Sequence, residues 1–192
     1  QGILENTYVF FFSDNGGLAT KQGVGPGCNL PLRASKGWLY EGGIRVPLIV
    51  RMPNRRSAGL KLSTPVLSTD IYPTLLSLAG LPLRPEQHMD GQSFVGLMNG
   101  EVKDSASRTL YWHYPHYHGS MWTPGAAIRK GDWKLVQFYH FDKLELYNLR
   151  EDLGESRDLS AARPEVTRTL LADLLKWQER LGASIPSVTQ GK

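Results

Sequence analysis

The sequence predicts an α/β protein that combines part of a mainly parallel sheet with a small antiparallel sheet and a C-terminal helix. Residues 7–12 (Thr-Tyr-Val-Phe-Phe-Phe) are apolar without polar alternation, which is typical of a strand covered on both faces. Residues 126–129 and 133–138 are strand-like, and the Lys-Gly-Asp between them indicates a hairpin. Pro164 opens a helix with one apolar stripe, and Gly182 ends it.

The other predicted elements divide the chain into two parts. A strand covers 46–50, a helix capped by residues 68–70 runs to Leu78, and a shorter helix covers 92–98. Further strands cover 109–114 and 145–148, because the sequence pattern becomes mainly strand-like after about Gly100. We therefore predict one domain at 1–100 and an α+β subdomain at 101–192. The Gly- and Pro-rich stretch 18–35 reads as a long loop, of the kind that often carries function.

Composition excludes several classes of protein. The 192 residues carry a net charge of +4 that is dispersed along the chain, which argues against a nucleic-acid-binding stripe. The longest apolar run, at 8–12, is far too short to span a bilayer. Cys28 is the single cysteine, so an intrachain disulfide is impossible. Usage is otherwise that of an ordinary globular protein, with 41% hydrophobic and 21% charged residues.

Two places in the first half suggest chemistry. Asp14 and Asn15 follow the first strand, where α/β folds place ligands, and their hard oxygens suit Ca²⁺ or Mg²⁺. Taken alone, Asp-Asn-Gly-Gly is more typical of a turn. Residues 36–47 are glycine-rich and bracketed by Lys36, which could hold an anion, and Arg45, which we interpret as an ion-pair partner of Glu41.

Together these motifs resemble the second half of the arylsulfatase family. The resemblance is collinear over nearly the whole chain. It is carried by residues 13–17, 31–37, 40–47, 68–76, 90–94, 127–135 and 145–152, which include Tyr-Glu-Gly-Gly-Ile-Arg-Val-Pro and Ile-Arg-Lys-Gly-Asp-Trp-Lys-Leu. It implies an alkaline phosphatase-like catalytic domain that ends near residue 100, followed by the family's C-terminal subdomain. The implied activity is hydrolysis of sulfate monoesters of aryl or carbohydrate substrates.

The resemblance also implies roles for individual residues. Asp14 and Asn15 match two of the family's calcium ligands, and Lys36 matches the lysine that contacts the sulfate group. The family's nucleophile is a formylglycine made from a Cys/Ser-x-Pro-x-Arg motif, which this sequence lacks; Cys28 has no Arg at the required place. We expect that motif and the remaining metal ligands upstream of Gln1. The family resemblance also implies a periplasmic, extracellular or lysosomal-type compartment.

A histidine cluster at 112–118 (Trp-His-Tyr-Pro-His-Tyr-His) invites a zinc interpretation. No carboxylate or cysteine lies beside it, so a metal-free cluster is favoured. In sulfatases this subdomain borders the substrate cleft, which makes Trp112, His113 and His116 candidate contacts to the sugar or aryl group.

Two alternatives to a sulfatase stay open at this point. One is a phosphomonoester or phosphonate hydrolase of the same superfamily, whose members generally lack the 36–47 pattern. The other is a non-catalytic module that binds sulfated glycans, which would not need the metal pair. For the 192-residue chain by itself we expect no sulfatase activity, weak calcium binding and self-association through the strand at 7–12 or poor order there.

Overall fold

The structure, a computed structural model, describes residues 2–19, 26–53, 57–101 and 108–186. The predicted loop at 18–35 thus lies partly outside the described residues. The helices and strands of the described ranges are β1 (Val9–Phe12), α1 (Glu41–Ile44), β2 (Leu48–Arg51), α2 (Ile71–Leu78), α3 (Val95–Met98), β3 (Leu110–Tyr114), β4 (Gly125–Lys130), β5 (Trp133–Phe138), β6 (Lys143–Asn148) and α4 (Pro164–Leu181).

These elements form two compact units. The first contains the described residues of Gln1–Asp14 and Pro47–Ser107, and the second those of Asn15–Val46 and Arg108–Lys192. The sequence placed a boundary between residues 100 and 101. That domain boundary stays a prediction; by contacts, the described residues of 15–46 group with the C-terminal elements.

A two-stranded sheet lies at the centre of the first unit. β1 and β2 pair antiparallel, with Phe11 opposite Ile49, whereas the apolar run predicted a strand from a mainly parallel sheet. Such a run indicates apolar neighbours but does not determine strand direction. One face of this sheet is uncovered in the 192-residue chain, as the expected self-association requires: Phe10 packs inward, while Phe11 is 65% and Ile49 59% exposed.

Helices complete the core of the first unit. Phe10 packs with Met52, Phe94 and Met98. Asp70 stands at the start of α2, as predicted, but its buried carboxylate accepts hydrogen bonds from the Leu67 and Gln92 backbone N–H groups and does not cap the first turn of α2. This single carboxylate therefore holds the start of α2 to the chain that leads into α3.

The second unit is built on a four-stranded antiparallel meander, in the order β3-β4-β5-β6. The predicted hairpin is confirmed, with Lys130 opposite Trp133 across a turn at Gly131, whose φ is +62°. Alternate residues of the strands point to opposite faces, and both faces are buried. One face packs on α4 through Ala126, Ile128, Leu135, Leu146, Leu170 and Leu174. The other packs on residues 34–44 through Leu39, Tyr40, Trp122, Ala127, Val136, Phe138, Tyr147 and Leu149.

The C-terminal helix has the predicted bounds and caps. Pro164 stands in its first turn, and Gly182 ends it in the left-handed conformation at φ +60°. Leu170 and Leu174 are buried on the sheet, and Trp177 stacks on Tyr111 with ring centroids 4.8 Å apart. Across the ranges that the structure describes, no helix combines the length and apolarity needed to cross a membrane.

The exposed face of the two-stranded sheet generates a prediction about assembly. Phe11 and Ile49 stand opposite each other and present apolar surface to solvent. We expect the 192-residue chain to self-associate through this face, and the Phe11→Lys/Ile49→Lys double variant to be monomeric. Sedimentation velocity over a concentration series measures both.

The matched control is Met89→Lys, at a residue of the same unit that is 86% exposed outside the sheet. It is expected to associate like the parent chain. A parent chain that stays monomeric, with strongly protected amides at Val9–Phe12 in hydrogen exchange, contradicts the prediction.

Candidate functional site

The two predicted metal ligands directly follow β1. Asp14 is exposed, and its carboxylate lies 3.4 Å from the Ser13 hydroxyl, which donates to it. The Asn15 side chain is partly buried, and its amide nitrogen donates to the Gly16 carbonyl at 2.9 Å, which orients the amide. Within the described parts of the chain, no three His, Cys, Asp or Glu side chains are grouped as a metal site. Asp14 and Asn15 fit calcium by oxygen type, and as ligands they would supply two of the six to eight oxygens that it takes.

Backbone contacts fasten the residues after Asn15 to the glycine-rich segment. The Gly16 N–H donates to the Gly43 carbonyl at 2.9 Å, and the Lys36 N–H donates to the Gly17 carbonyl at 3.1 Å. A Cβ atom at Gly16 would lie 1.8 Å from the Gly42 carbonyl oxygen, so no larger residue fits here. Asn15 and Lys36 are therefore held near each other by backbone, which does not depend on side-chain rotamers.

Lys36 is presented to solvent on a well-anchored loop. Its side chain is exposed, whereas Ser35 before it is buried and donates to the Ala19 carbonyl at 3.1 Å. Asn29 braces the same loop by donating to the carbonyls of Gly17 at 2.8 Å and Ala34 at 3.2 Å. An exposed cation on a fixed backbone suits the binding of an anion.

The other charged residues of the motif face the sheet. Glu41, Lys134 and Glu155 are each at most 1% exposed. Lys134 donates to Glu41 at 3.0 Å and lies 2.8 Å from Glu155 Oε1, outside hydrogen-bond alignment. The Glu41 N–H donates to Glu155 Oε2 at 2.6 Å. The predicted ion pair of Arg45 with Glu41 is confirmed at 3.5 Å, and Arg129 approaches the same carboxylate at 3.7 Å.

The two carboxyls of this cluster differ in their electrostatics. Burial by itself raises the pKa of Glu41, but the charges of Lys134 and Arg129 outweigh it, so the pKa of Glu41 is lowered. Burial raises the pKa of Glu155, and there Lys134 offsets it only in part. The surroundings therefore favour the ionised form of Glu41 more strongly than that of Glu155. A loop organised by Asp152, which accepts from the backbone N–H groups of Ser156 and Arg157 at 2.8 Å, positions Glu155.

A second network ties the motif to the sheet beside the first. The Arg33 guanidinium lies 3.8 Å from the centroid of the Tyr40 ring and donates to the Tyr147 hydroxyl at 2.7 Å. Both phenols donate to Glu145, Tyr40 at 2.5 Å and Tyr147 at 2.7 Å. Burial and the bond to Glu145 raise the pKa of both phenols. Because these side chains bond each other across the sheet, Lys36 is the cation of the motif that is left for a ligand.

Strand alternation separates the predicted substrate contacts. Trp112 packs with the sheet face that residues 34–44 cover. His113 points to the other face, where it bonds the Tyr139 hydroxyl at 2.6 Å and the Ser184 carbonyl at 3.2 Å. His116 is exposed, with its ring edge-on to Tyr114. The structure thus brings Trp112 and His113 to opposite faces, and their roles stay predictions.

His118 is the histidine that the fold packs against Gly37, the residue that follows Lys36. Gly37 follows Lys36 with φ +87°, and a Cβ atom there would lie 2.1 Å from His118 Nδ1, so the imidazole ring packs directly on this glycine. Sequence reasoning included His118 in the cluster but assigned it no role. No local signal marks it, because its contact spans about eighty residues of chain.

The second unit thus combines a four-stranded antiparallel sheet, a glycine-rich loop anchored on one of its faces and one exposed lysine on that loop. The family profile described as N-sulphoglucosamine sulphohydrolase, C-terminal, matches residues 34–180. The chain belongs to this sulfatase family. Its alkaline phosphatase-like α/β class, with an antiparallel sheet and a C-terminal helix, is confirmed by solved sulfatases.

Individual relatives agree with this membership. The chain is 41% identical over 193 residues to a sulfatase of Formosa agariphila, covering 95% of this chain and 34% of that protein. The structure of BT4656 with its substrate D-glucosamine-2-N,6-O-disulfate has a TM-score of 0.77 and 27% identity, over 98% of this chain and 37% of the other. That of Ps i-CgsB with k-i-k-neocarrahexaose has a TM-score of 0.74 and 31% identity, over 91% and 37%. The chain spans about a third of the length of these relatives.

The two carboxyls around Lys134 generate a stability prediction. Replacing Glu41 with Gln removes the ionised partner of a buried cation and is expected to lower the free energy of unfolding at pH 7 by about 3 kcal/mol. Glu155→Gln is expected to cost less than half of that, because the raised pKa of Glu155 means that its charge is already disfavoured. Denaturant unfolding measures both variants.

The pH dependence has a definite sign. Because the pKa of Glu41 is lowered in the folded chain, its contribution is present above the unfolded pKa of about 4.3 and is lost as the pH falls through the folded pKa. The difference in the free energy of unfolding between the parent chain and Glu41→Gln is therefore expected to become smaller as the pH falls. Because the pKa of Glu155 is raised in the folded chain, its contribution to stability is present at low pH and is lost as the pH rises through the folded pKa. A loss of unfolding free energy for Glu155→Gln at pH 7 that equals or exceeds the loss for Glu41→Gln would contradict this prediction.

Proposed function

We propose that this chain forms the lysine side and part of the metal side of an enzyme that hydrolyses sulfate monoesters. The observation that carries the proposal is the pair of backbone bonds, Gly16 to Gly43 and Lys36 to Gly17, that anchors the two residues after Asn15 to the segment carrying the exposed Lys36. A metal ligand and a cation on neighbouring, anchored backbone suit a sulfate group that is bound by a metal ion and by a lysine at the same time. Family membership supplies the reaction class.

Each residue has a defined task in this proposal. The Lys36 ammonium binds the sulfate group and balances the charge that develops on the leaving oxygen. Asp14 and Asn15 would hold Ca²⁺, which when bound supplies Lewis-acid polarisation of a sulfate oxygen. The formylglycine nucleophile belongs to the part of the family sequence that precedes this region. Glu41 and Arg45 keep the Lys36 loop seated on the sheet.

Carbohydrate sulfates are the favoured substrates. The structures of BT4656 and Ps i-CgsB, at 27% and 31% identity, hold a glucosamine disulfate and a neocarrahexaose. His116 is exposed on the loop that follows β3, where an imidazole can bond a sugar hydroxyl. We retain His116 as a proposed sugar contact, and Trp112 and His113 as weaker candidates.

Two alternatives differ from this proposal in observable ways. A phosphomonoester or phosphonate hydrolase of the same superfamily would hydrolyse an aryl phosphate or phosphonate faster than the matching sulfate. A non-catalytic sulfated-glycan-binding module would bind without turnover and would not need Asp14. The 36–47 segment and the family profile favour the sulfatase over both.

Lys36 provides the central test, in the natural gene product that contains this chain. Lys36→Ala is expected to lower kcat/KM for 4-nitrophenyl sulfate by roughly a hundredfold to a thousandfold, the loss typical of one oxyanion-binding group. The control is Lys176→Ala, an exposed lysine on α4, with unchanged rates. Turnover of the sulfate that is insensitive to Lys36→Ala, or preference for the phosphate, contradicts the proposal.

Calcium binding by the 192-residue chain is a separate prediction. Two oxygens make a weak site, so calorimetry is expected to give a dissociation constant above about 1 mM. Asp14→Asn is expected to abolish the remaining heat, whereas Asp90→Asn, at another exposed carboxylate, leaves it unchanged. Micromolar affinity would mean that further residues of the chain complete the site.

A further inference from the structure

We propose that His118 is a substrate-binding residue that donates a hydrogen bond from Nε2 to an oxygen of the sulfate ester held by Lys36. The inference rests on the proposed sulfatase function and deepens it. It adds a residue to which the sequence assigned no role. The position of the ring, its tautomer and the rigidity of its loop each support the proposal.

The position follows from a close backbone contact. Gly37 has no side chain, and its φ of +87° turns the chain so that the His118 ring packs where a Cβ atom would be, 2.1 Å from Nδ1. Lys36, the exposed cation, is the residue immediately before this contact. The imidazole therefore packs on the residue next in sequence to the proposed sulfate-binding lysine.

The hydrogen bonds of the ring determine its tautomer. The Ser120 N–H donates to His118 Nδ1 at 3.1 Å, and the Ser120 hydroxyl lies 2.7 Å from the same nitrogen. A nitrogen that accepts from a backbone N–H carries no proton, so the proton of the neutral ring is on Nε2. Among the residues that the structure describes, Nε2 has no hydrogen-bond partner. A partly exposed donor next to a cation suits an anionic ligand with acceptor oxygens.

The loop that carries His118 is held rigidly to the same segment. The Trp38 indole N–H donates to the Ser120 carbonyl at 2.7 Å, and Trp38 packs edge-on against buried Trp122 at 5.7 Å. The His118 N–H donates to the Trp122 carbonyl at 3.2 Å and closes the turn. Lys36, Gly37 and Trp38 thus share one loop, and two of the three contact the His118 turn. A donor fixed in this way loses little entropy on binding.

Histidine side-chain ¹⁵N NMR on the labelled chain tests the proposal, with D-glucosamine-2-N,6-O-disulfate as the titrant and unsulfated glucosamine as its control. The disulfate is expected to shift His118 Nε2, while Nδ1 keeps the shift of an unprotonated nitrogen. His118→Phe keeps the ring packed on Gly37 but has no donor, and it is expected to weaken binding by about tenfold to a hundredfold. His118→Gln, which retains a donor, is expected to recover part of the loss.

Two further variants make the outcomes distinguishable. Lys176→Ala, at the exposed lysine on α4, serves as the control for non-specific binding of the anion and is expected to leave the Nε2 shift of His118 in place. Lys36→Ala is expected to weaken binding on its own. If Lys36→Ala has no effect, the proposed function fails. If Lys36→Ala weakens binding and His118→Phe does not, His118 only covers Gly37 and this inference alone is overturned. Failure of the parent chain to bind the disulfate at millimolar concentration also overturns it.

Discussion

The buried ammonium of Lys134, placed between two carboxyls, is the interaction on which the second unit depends. Lys134 belongs to β5, Glu41 to α1 and Glu155 to the loop after β6, so one cation joins three separate stretches of chain. A buried charge is tolerated only when it is paired. If the glycine-rich segment left the sheet, Lys134 would lose Glu41 as its partner, at a large cost in folding stability. The position of Lys36 relative to the sheet is a consequence of this pairing.

The sheet itself has an apolar layer on each face, and the two layers have different functions. α4 covers one face with leucines and an aromatic stack, which stabilises the unit but presents no chemistry. Residues 34–44 cover the other face with Leu39 and Tyr40 and carry Lys36 on their exposed side. The second cover is therefore both a packing layer and the support of the site. This explains why so many motif residues, Arg33 and Glu41 among them, bond to the sheet and not to a ligand.

Close backbone approach positions the groups that remain available for chemistry. Gly16 lies against Gly42, and Gly37 lies under His118, in each case at a distance that excludes a Cβ atom. Backbone contacts of this kind limit movement more strongly than contacts between long side chains, whose rotamers can change. The Lys36 ammonium and the His118 imidazole are in consequence carried on anchored loops, which is the arrangement that the proposed site for a small anionic group requires.

The sequence alone determined the elements and the family. The strands from Leu110 to Asn148, the hairpin and the helix Pro164–Leu181 follow from local patterns of hydrophobicity, turn residues and caps, which act over a few residues. The motifs around Asp14 and Lys36 identified a sulfatase. Only the tertiary structure decided that β1 pairs antiparallel with β2, that residues 34–44 cover one face of the C-terminal sheet, and that His118 packs on Gly37, the residue after Lys36. Those outcomes depend on contacts between residues far apart in the chain, and local periodicity carries no information about which distant segment a surface will meet.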